Sequence, residues 1–245
     1  MINNIYLGFK FSFSYFSVLP INFKRSDDLS QQTVLASMLS FLPLVGLTLG
    51  IVTITIFLFL NHLTWYGALF SAVIYMMLYG FIHTEAVIDV TDALYASHSG
   101  KNAYKIIKEP TVGAMGVLYA VGLIILKLAG ITYLLTHNFL MEFISILIIS
   151  RVSLLLLFKL HTFQSSFATQ LKESLTLPYF IISFTIFTIV GSFLLKNFIL
   201  LLIIGLTISL IISYTLKSKL GFVNGDVLGA TLEGIEVLLF IGVLL

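Results

Sequence analysis

Six of the chain's eleven Asp and Glu residues fall in two short segments, and their spacing is what could do chemistry. In GFIHTEAVIDVTD (residues 80–92), Glu85, Asp89 and Asp92 stand at i, i+4 and i+7. At about 100° per residue, all three lie within roughly 40° on one helix face. In GDVLGATLEGIE (residues 225–236), Asp226 and Glu233 are seven apart and Glu236 follows three later, which makes a second carboxylate stripe. Carboxylates on one face repel one another, and a cation or protons relieve that repulsion. With no cysteine and few histidines, an oxygen-only donor set favours a hard ion, Mg²⁺ or Mn²⁺ before Zn²⁺. The candidate metal ligands are therefore Glu85, Asp89, Asp92, Asp226, Glu233 and Glu236. Next to the first stripe come Lys101, Lys105 and Lys108, then the run VGAMG (residues 112–116). Lysines hold phosphate as point charges, and glycines let a backbone or a ligand approach closely. Two acid stripes beside lysines are the parts that a Mg²⁺–diphosphate site requires.

The elements that must position these residues are membrane helices. Of 245 residues 59% are hydrophobic and 10% charged, and the mean hydropathy is +1.08, which excludes an ordinary soluble domain. Apolar spans fall at about 35–60, 65–94, 113–136, 139–158, 176–195, 198–216 and 227–245, each long enough to cross a hydrocarbon layer roughly 30 Å thick. The second runs on past Gly80 into a more polar last turn or two. The expected fold is thus an all-α transmembrane bundle of about seven spans, one integral domain over residues 1–245. Residues 1–22 are aromatic-rich, without a basic leader or cleavage site, and are expected to form an interfacial or partly inserted helix.

Charge orients the bundle. Lys10, Lys24, Arg25, Lys101, Lys105, Lys108, Lys159, Lys172, Lys217 and Lys219 lie on one set of segments, and only Lys196 on the alternate set. Ten against one places the N-terminus and the loops 95–112, 159–175 and 217–226 in the cytoplasm. Both acidic faces then lie at the same depth, on the side where nucleotides are found. A charged Asp at the bilayer centre costs roughly 2.5–3.5 kcal/mol, so six such groups need partners. The basic residues are scattered, which gives no nucleic-acid surface.

These motifs resemble the cobalamin synthase family, the adenosylcobinamide-GDP ribazoletransferases. Gly80, His83, Glu85, Asp89 and Asp92 match the family's segment G-x-H-x-D-G-x-x-D-x-x-D-G. Gly225, Asp226, Leu228, Gly229, Ala230, Glu233 and Glu236 match its G-D-x-L-G-A-x-x-E-x-x-E without a gap. Leu19-Pro20, the run FLPLVG (residues 41–46) with Gly50, Lys108 with Gly113 and Gly116, and Ser150-Arg151 add support. The chain departs from the pattern at Glu85, where the family has Asp, at Ala86 and Ala93, which replace glycines, at Glu109, which replaces Asp, and at Thr111, which replaces Arg. Losing the two glycines narrows the space beside the helix.

The resemblance implies a Mg²⁺-dependent transfer at the cytoplasmic (inner) membrane, in a multi-pass protein whose site faces the cytoplasm. Adenosylcobinamide-GDP and α-ribazole, or its 5′-phosphate, give adenosylcobalamin, or its phosphate, and GMP. A ribose hydroxyl attacks the cobinamide-side phosphorus and GMP leaves. Glu85, Asp89 and Asp226 are expected to hold one or two metals, and Asp92 or Glu233 to accept the hydroxyl proton. Lys105, Lys108 and Arg151 are expected to steady phosphate oxygens, with His83, Gly113 and Gly225 also near substrate. Partners are the lipid bilayer and the two substrates, with a homo-oligomer or other cobalamin-assembly enzymes left open.

Plainer readings stand beside these. Asp226 is expected to double as the N-cap of the last span. His83 is either an ordinary hydrogen-bonded helix residue or one that orients a carboxylate. Arg151 neutralises the acids or binds phosphate. Gly80, Gly113 and Gly116 serve close packing or the ligand. Rival functions are a CDP-alcohol phosphotransferase or membrane prenyltransferase, whose motif spacings are absent, and a divalent-cation transporter, whose acids are expected nearer the bilayer midplane.

Overall fold

In the computed structural model, which describes residues 2–243, the chain folds into twelve α-helices, and no strand occurs among the described residues. They are α1 (Ile2–Phe16), α2 (Gln32–Ser40), α3 (Leu42–Phe59), α4 (Trp65–Leu78), α5 (Ile82–His98), α6 (Ala103–Ile106), α7 (Ala114–Thr136), α8 (Leu140–Leu160), α9 (Ser166–Ser174), α10 (Leu177–Leu194), α11 (Phe198–Leu220) and α12 (Gly225–Gly242). Five of them, α3, α7, α8, α10 and α11, are long and apolar enough to cross a membrane, and α4 with α5 makes six if that bent pair is one span.

A helix that is apolar all round must be buried in protein or in lipid. Both cases occur. In α8 the consecutive residues Ile146, Leu147, Ile148 and Ile149 are fully enclosed, so every side of that helix meets protein. It packs against α3, α10, α11 and α12. By contrast α10 is only 17% buried and α11 22%, which leaves most of their apolar surface to face lipid.

Two expected spans are broken, each for a local reason. The span read at 35–60 divides at Phe41, because Pro43 occupies the first turn of α3, where its missing N–H is not needed. The span read at 65–94 divides at Gly80. There Phe81 N–H bonds to Met76 O (3.4 Å) and Gly80 N–H to Met77 O (3.0 Å), closing α4 with a glycine at φ 68°. Phe81 follows in the same left-handed region at φ 56°, and α5 departs at 76° to α4. The last expected span, 227–245, corresponds to α12, whose three carboxylates set it apart from the five apolar helices; residues 244–245 lie outside the described residues. The N-terminal helix read at 1–22 ends at Phe16, and α1 lays Leu7, Gly8, Ser12, Phe13 and Phe16 inward, chiefly on α2.

Candidate active site

The site is built where α5 crosses α12. The two helices come close because one of them has no side chain at the crossing: a Cβ on Gly229 would lie 2.8 Å from Ala86 Cβ. A single methyl fits there, so the extra carbon of Ala86 is matched by Gly229. This crossing brings the first acidic face to Asp226. Asp89 lies in the field of Asp226, Glu85 and Asp92, and Asp226 in that of Glu85. Glu85 is exposed, while Asp89, Asp92 and Asp226 are half-buried. Among the described residues the only Lys or Arg ion pairs to carboxylates are Lys127 with Glu233 and Glu236, and Arg151 with Glu236. Among those residues, then, Glu85, Asp89, Asp92 and Asp226 have no cationic side chain to offset them.

The first turn of α12 holds Asp226 in place. Asn224 is the N-cap: its Oδ1 accepts from Val227 N–H (3.0 Å), and its side-chain amide donates to Asp226 Oδ2 (2.7 Å). The cap expected at Asp226 thus belongs to Asn224, because Asp226 already sits inside the helix. One Asp226 oxygen is steadied and the carboxylate lines a cavity.

Asp92 docks the next helix. Its two oxygens accept from the backbone N–H groups of Gly113 (2.6 Å) and Gly116 (2.8 Å), at the electropositive N-terminus of α7. A Cβ at Gly113 would fall 2.4 Å from Asp92 Oδ1, and one at Gly116 2.6 Å from Oδ2 and 2.7 Å from Ile88 O. Both glycines are needed for this close approach. Gly116→Ala is expected to lower stability by about 2 kcal/mol through overpacking, read as a lower unfolding temperature in detergent.

The remaining acids have other partners. Glu233 and Glu236 have no exposed surface. Lys127 Nζ, equally enclosed, reaches Glu233 at 2.6 Å and Glu236 at 2.8 Å, and Arg151 pairs with Glu236. Tyr79 OH donates to Glu233 (2.8 Å), and Tyr75 OH (2.9 Å) and Ser150 Oγ (3.1 Å) donate to Glu236. Two cations balance two anions, and every oxygen has a donor. The stripe spacing put Glu233 and Glu236 with the metal ligands, and the resemblance put Arg151 on phosphate with neutralisation of the acids as its plainer reading. In the structure Arg151 pairs with Glu236, and these side chains tie α4, α7, α8 and α12 together. The sequence reading missed Lys127 as a partner. The signal was there, since a lysine in the middle of an apolar span requires a carboxylate. Tyr75, Tyr79 and Asn224 carried no such signal.

Beneath the α5–α12 crossing lies a cavity of about 380 Å³. His83, Lys108, Gly225 and Asp226 line it, whereas Lys105 is exposed on α6 nearby. Lys108 Nζ sits 4.1 Å from the Tyr104 ring centre. Connecting segments are stitched around it: Tyr104 OH donates to Gln164 O (2.8 Å), and Gln164 N–H to Val223 O (3.0 Å).

Residues 8–244 match the family model described as cobalamin-5-phosphate synthase. The chain belongs to that family. Among relatives, an adenosylcobinamide-GDP ribazoletransferase of Clostridium perfringens (strain SM101) is 30% identical, over 98% of this chain and 97% of its own. Those of Clostridium tetani (28%, over 81% of each chain) and Caldanaerobacter subterraneus subsp. tengcongensis (27%, over 91% of each) carry the same name. No solved structure matches.

The donor set on α5 and α12 fits a hard divalent ion. It is all oxygen, contributed by two helices, and lacks a neutralising cation among the described residues. No three His, Asp or Glu groups among the described residues converge tightly enough to enclose a metal by themselves. Such an open arrangement suits Mg²⁺, which keeps waters and takes one or two carboxylates together with substrate phosphate.

Proposed function

We propose that this chain is an adenosylcobinamide-GDP ribazoletransferase, which joins adenosylcobinamide-GDP to α-ribazole, or its 5′-phosphate, and releases GMP. The observation that carries this reading is that Asp89 lies in the electrostatic field of Asp226 from the neighbouring helix, neither with a cationic partner among the described residues, and that Asp226 lines a cavity that Lys108 also lines. The likeness to relatives of that name over nearly the whole chain supports it.

Asp89 and Asp226, with Glu85 on the same face, would hold Mg²⁺ together with substrate phosphate, and the ion when bound would offset the charge of the diphosphate. Lys108, with Lys105 beside it, steadies phosphate oxygens as point charges. A hydroxyl of the ribose attacks the cobinamide-side phosphorus, a new P–O bond forms, and the P–O bond to GMP breaks. The hydroxyl proton passes to an acid of the α5–α12 face. Asp92 lies on that face with both oxygens accepting from the Gly113 and Gly116 N–H groups, and Glu233 is enclosed beside Lys127, which weighs against either as the acceptor. Glu233, Glu236, Lys127 and Arg151 act as the internal brace that fixes α12 against α4, α7 and α8.

The ten-to-one distribution of lysine and arginine supports a cytoplasmic N-terminus and a site that opens to the cytoplasm. On this reading α12 is the seventh span. Its eighteen residues suffice in length, and the pairing of Glu233 and Glu236 with Lys127 and Arg151 removes their charge penalty.

The experiment is to incubate purified protein in lipid vesicles with Mg²⁺, adenosylcobinamide-GDP and α-ribazole, and to measure GMP. GMP is expected, one per cobalamin formed, abolished by EDTA and restored by Mg²⁺. A protein that makes no GMP alongside an active relative overturns the reading. GMP release that ignores EDTA removes the metal from it.

A further inference from the structure

We infer that the cavity under the α5–α12 crossing receives the base of the nucleoside substrate, with His83 donating a hydrogen bond to the free nitrogen of its fused ring. This rests on the proposed transfer and specifies which substrate goes where.

Size makes the first distinction. About 380 Å³ is in the range of small-molecule pockets and suits a two-ring base on a ribose. A corrin ring with its side chains and nucleotide is far larger and must approach from outside, over the face that carries the exposed Glu85. Wall chemistry makes the second. Phe16, Leu154, Phe158, Phe167 and Leu171 line the cavity, surfaces suited to an apolar fused ring such as a benzimidazole. Tyr15, Ser165, Ser166 and Asn224 also line the cavity, so the wall is mixed. Guanine's edge of two donor groups and an acceptor needs several partners there, at about 1–3 kcal/mol for each left unmet, whereas a benzimidazole needs one.

His83 supplies the specific contact. It is 6% exposed, yet its ring nitrogens make no hydrogen bond to any described residue. Phe16 (6.2 Å, 24°) and Tyr79 (5.8 Å, 27°) stack near its faces and fix its plane. A buried imidazole with unmet hydrogen-bonding capacity on a cavity wall is one a ligand can satisfy. Benzimidazole nucleosides present a single ring lone pair, which one imidazole donor can meet. Asp226 both lines this cavity and acts on Asp89, so a base seated inside leaves its ribose beside the acids, where the hydroxyl must attack.

Two measurements test this. Ala168, on α9 and 4% exposed, lines the cavity, so Ala168→Leu narrows it without touching the acids. The KM for α-ribazole is expected to rise at least tenfold in Ala168→Leu and in His83→Ala, with the KM for adenosylcobinamide-GDP within twofold of the parent. His83→Gln, which keeps a donor, is expected to recover part of the loss. A rise confined to adenosylcobinamide-GDP would assign the cavity to guanosine and overturn the inference. Independently of folding in the variants, equilibrium dialysis of α-ribazole with the unaltered protein in EDTA should show competition by free benzimidazole and none by GMP. Competition by GMP alone, or by neither, overturns the inference while GMP release in the vesicle assay stands. An unaltered protein that releases no GMP removes the underlying reading and this inference with it.

Discussion

Lys127→Met is expected to yield little folded protein, with a loss of about 3–5 kcal/mol, because it leaves Glu233 buried and without a cation. Glu236 keeps Arg151, so the damage centres on Glu233. Adding Glu233→Gln removes the orphaned charge, and the double variant should regain at least about 2 kcal/mol relative to Lys127→Met alone. Unfolding temperature and yield in detergent read both steps. A double variant no more stable than the single one contradicts the pairing. Turnover of the double variant separates a brace from a catalytic group. Glu233 has no exposed surface, so once the fold is restored turnover should stay within tenfold of the parent. A thousandfold fall in a well-folded double variant would return Glu233 to the chemistry.

Asp226→Asn and Asp89→Asn should behave in the opposite way. Each is expected to cut turnover by about 10³-fold or more, roughly 4 kcal/mol of transition-state stabilisation. Neither should lower the unfolding temperature of metal-free protein. Asp89 lies among three other carboxylates and has no cationic partner among the described residues, so removing its charge relieves repulsion. Activity lost together with stability would make these acids structural. Activity lost at equal or higher unfolding temperature is what a metal and phosphate site produces.

The membrane class followed from an apolar share that no soluble surface could carry, and α7, α8, α10 and α11 lie close to the expected spans. The spacing of Glu85, Asp89 and Asp92 gave one face of one helix, because a period of about 3.6 residues fixes that without tertiary knowledge. The bend at Gly80 was hidden, since the change to a more polar segment after it reads equally well as a straight helix reaching the membrane surface, and hydropathy carries no direction. Only backbone geometry shows α5 leaving α4 at 76°.

Partners were the least legible feature. Lys127 and Glu233 are 106 residues apart in the chain, and no local pattern links them. The stripe placed Glu233 and Glu236 on the same side as Asp226, but could not say that two cations from α7 and α8 would reach them first. The same holds for Asp92, whose contacts with Gly113 and Gly116 depend on the path of the loop between α5 and α7.

The most direct test of the site is whether the acids of α5 and α12 together hold a divalent ion on a diphosphate. Mn²⁺ retained by purified protein in the presence of GDP can be counted by electron paramagnetic resonance after gel filtration, for the parent and for Asp89→Asn/Asp226→Asn. Retention by the parent and its loss in the double variant, with both proteins equally folded, is the expected result. Mn²⁺ held equally by both would contradict the site described for these helices.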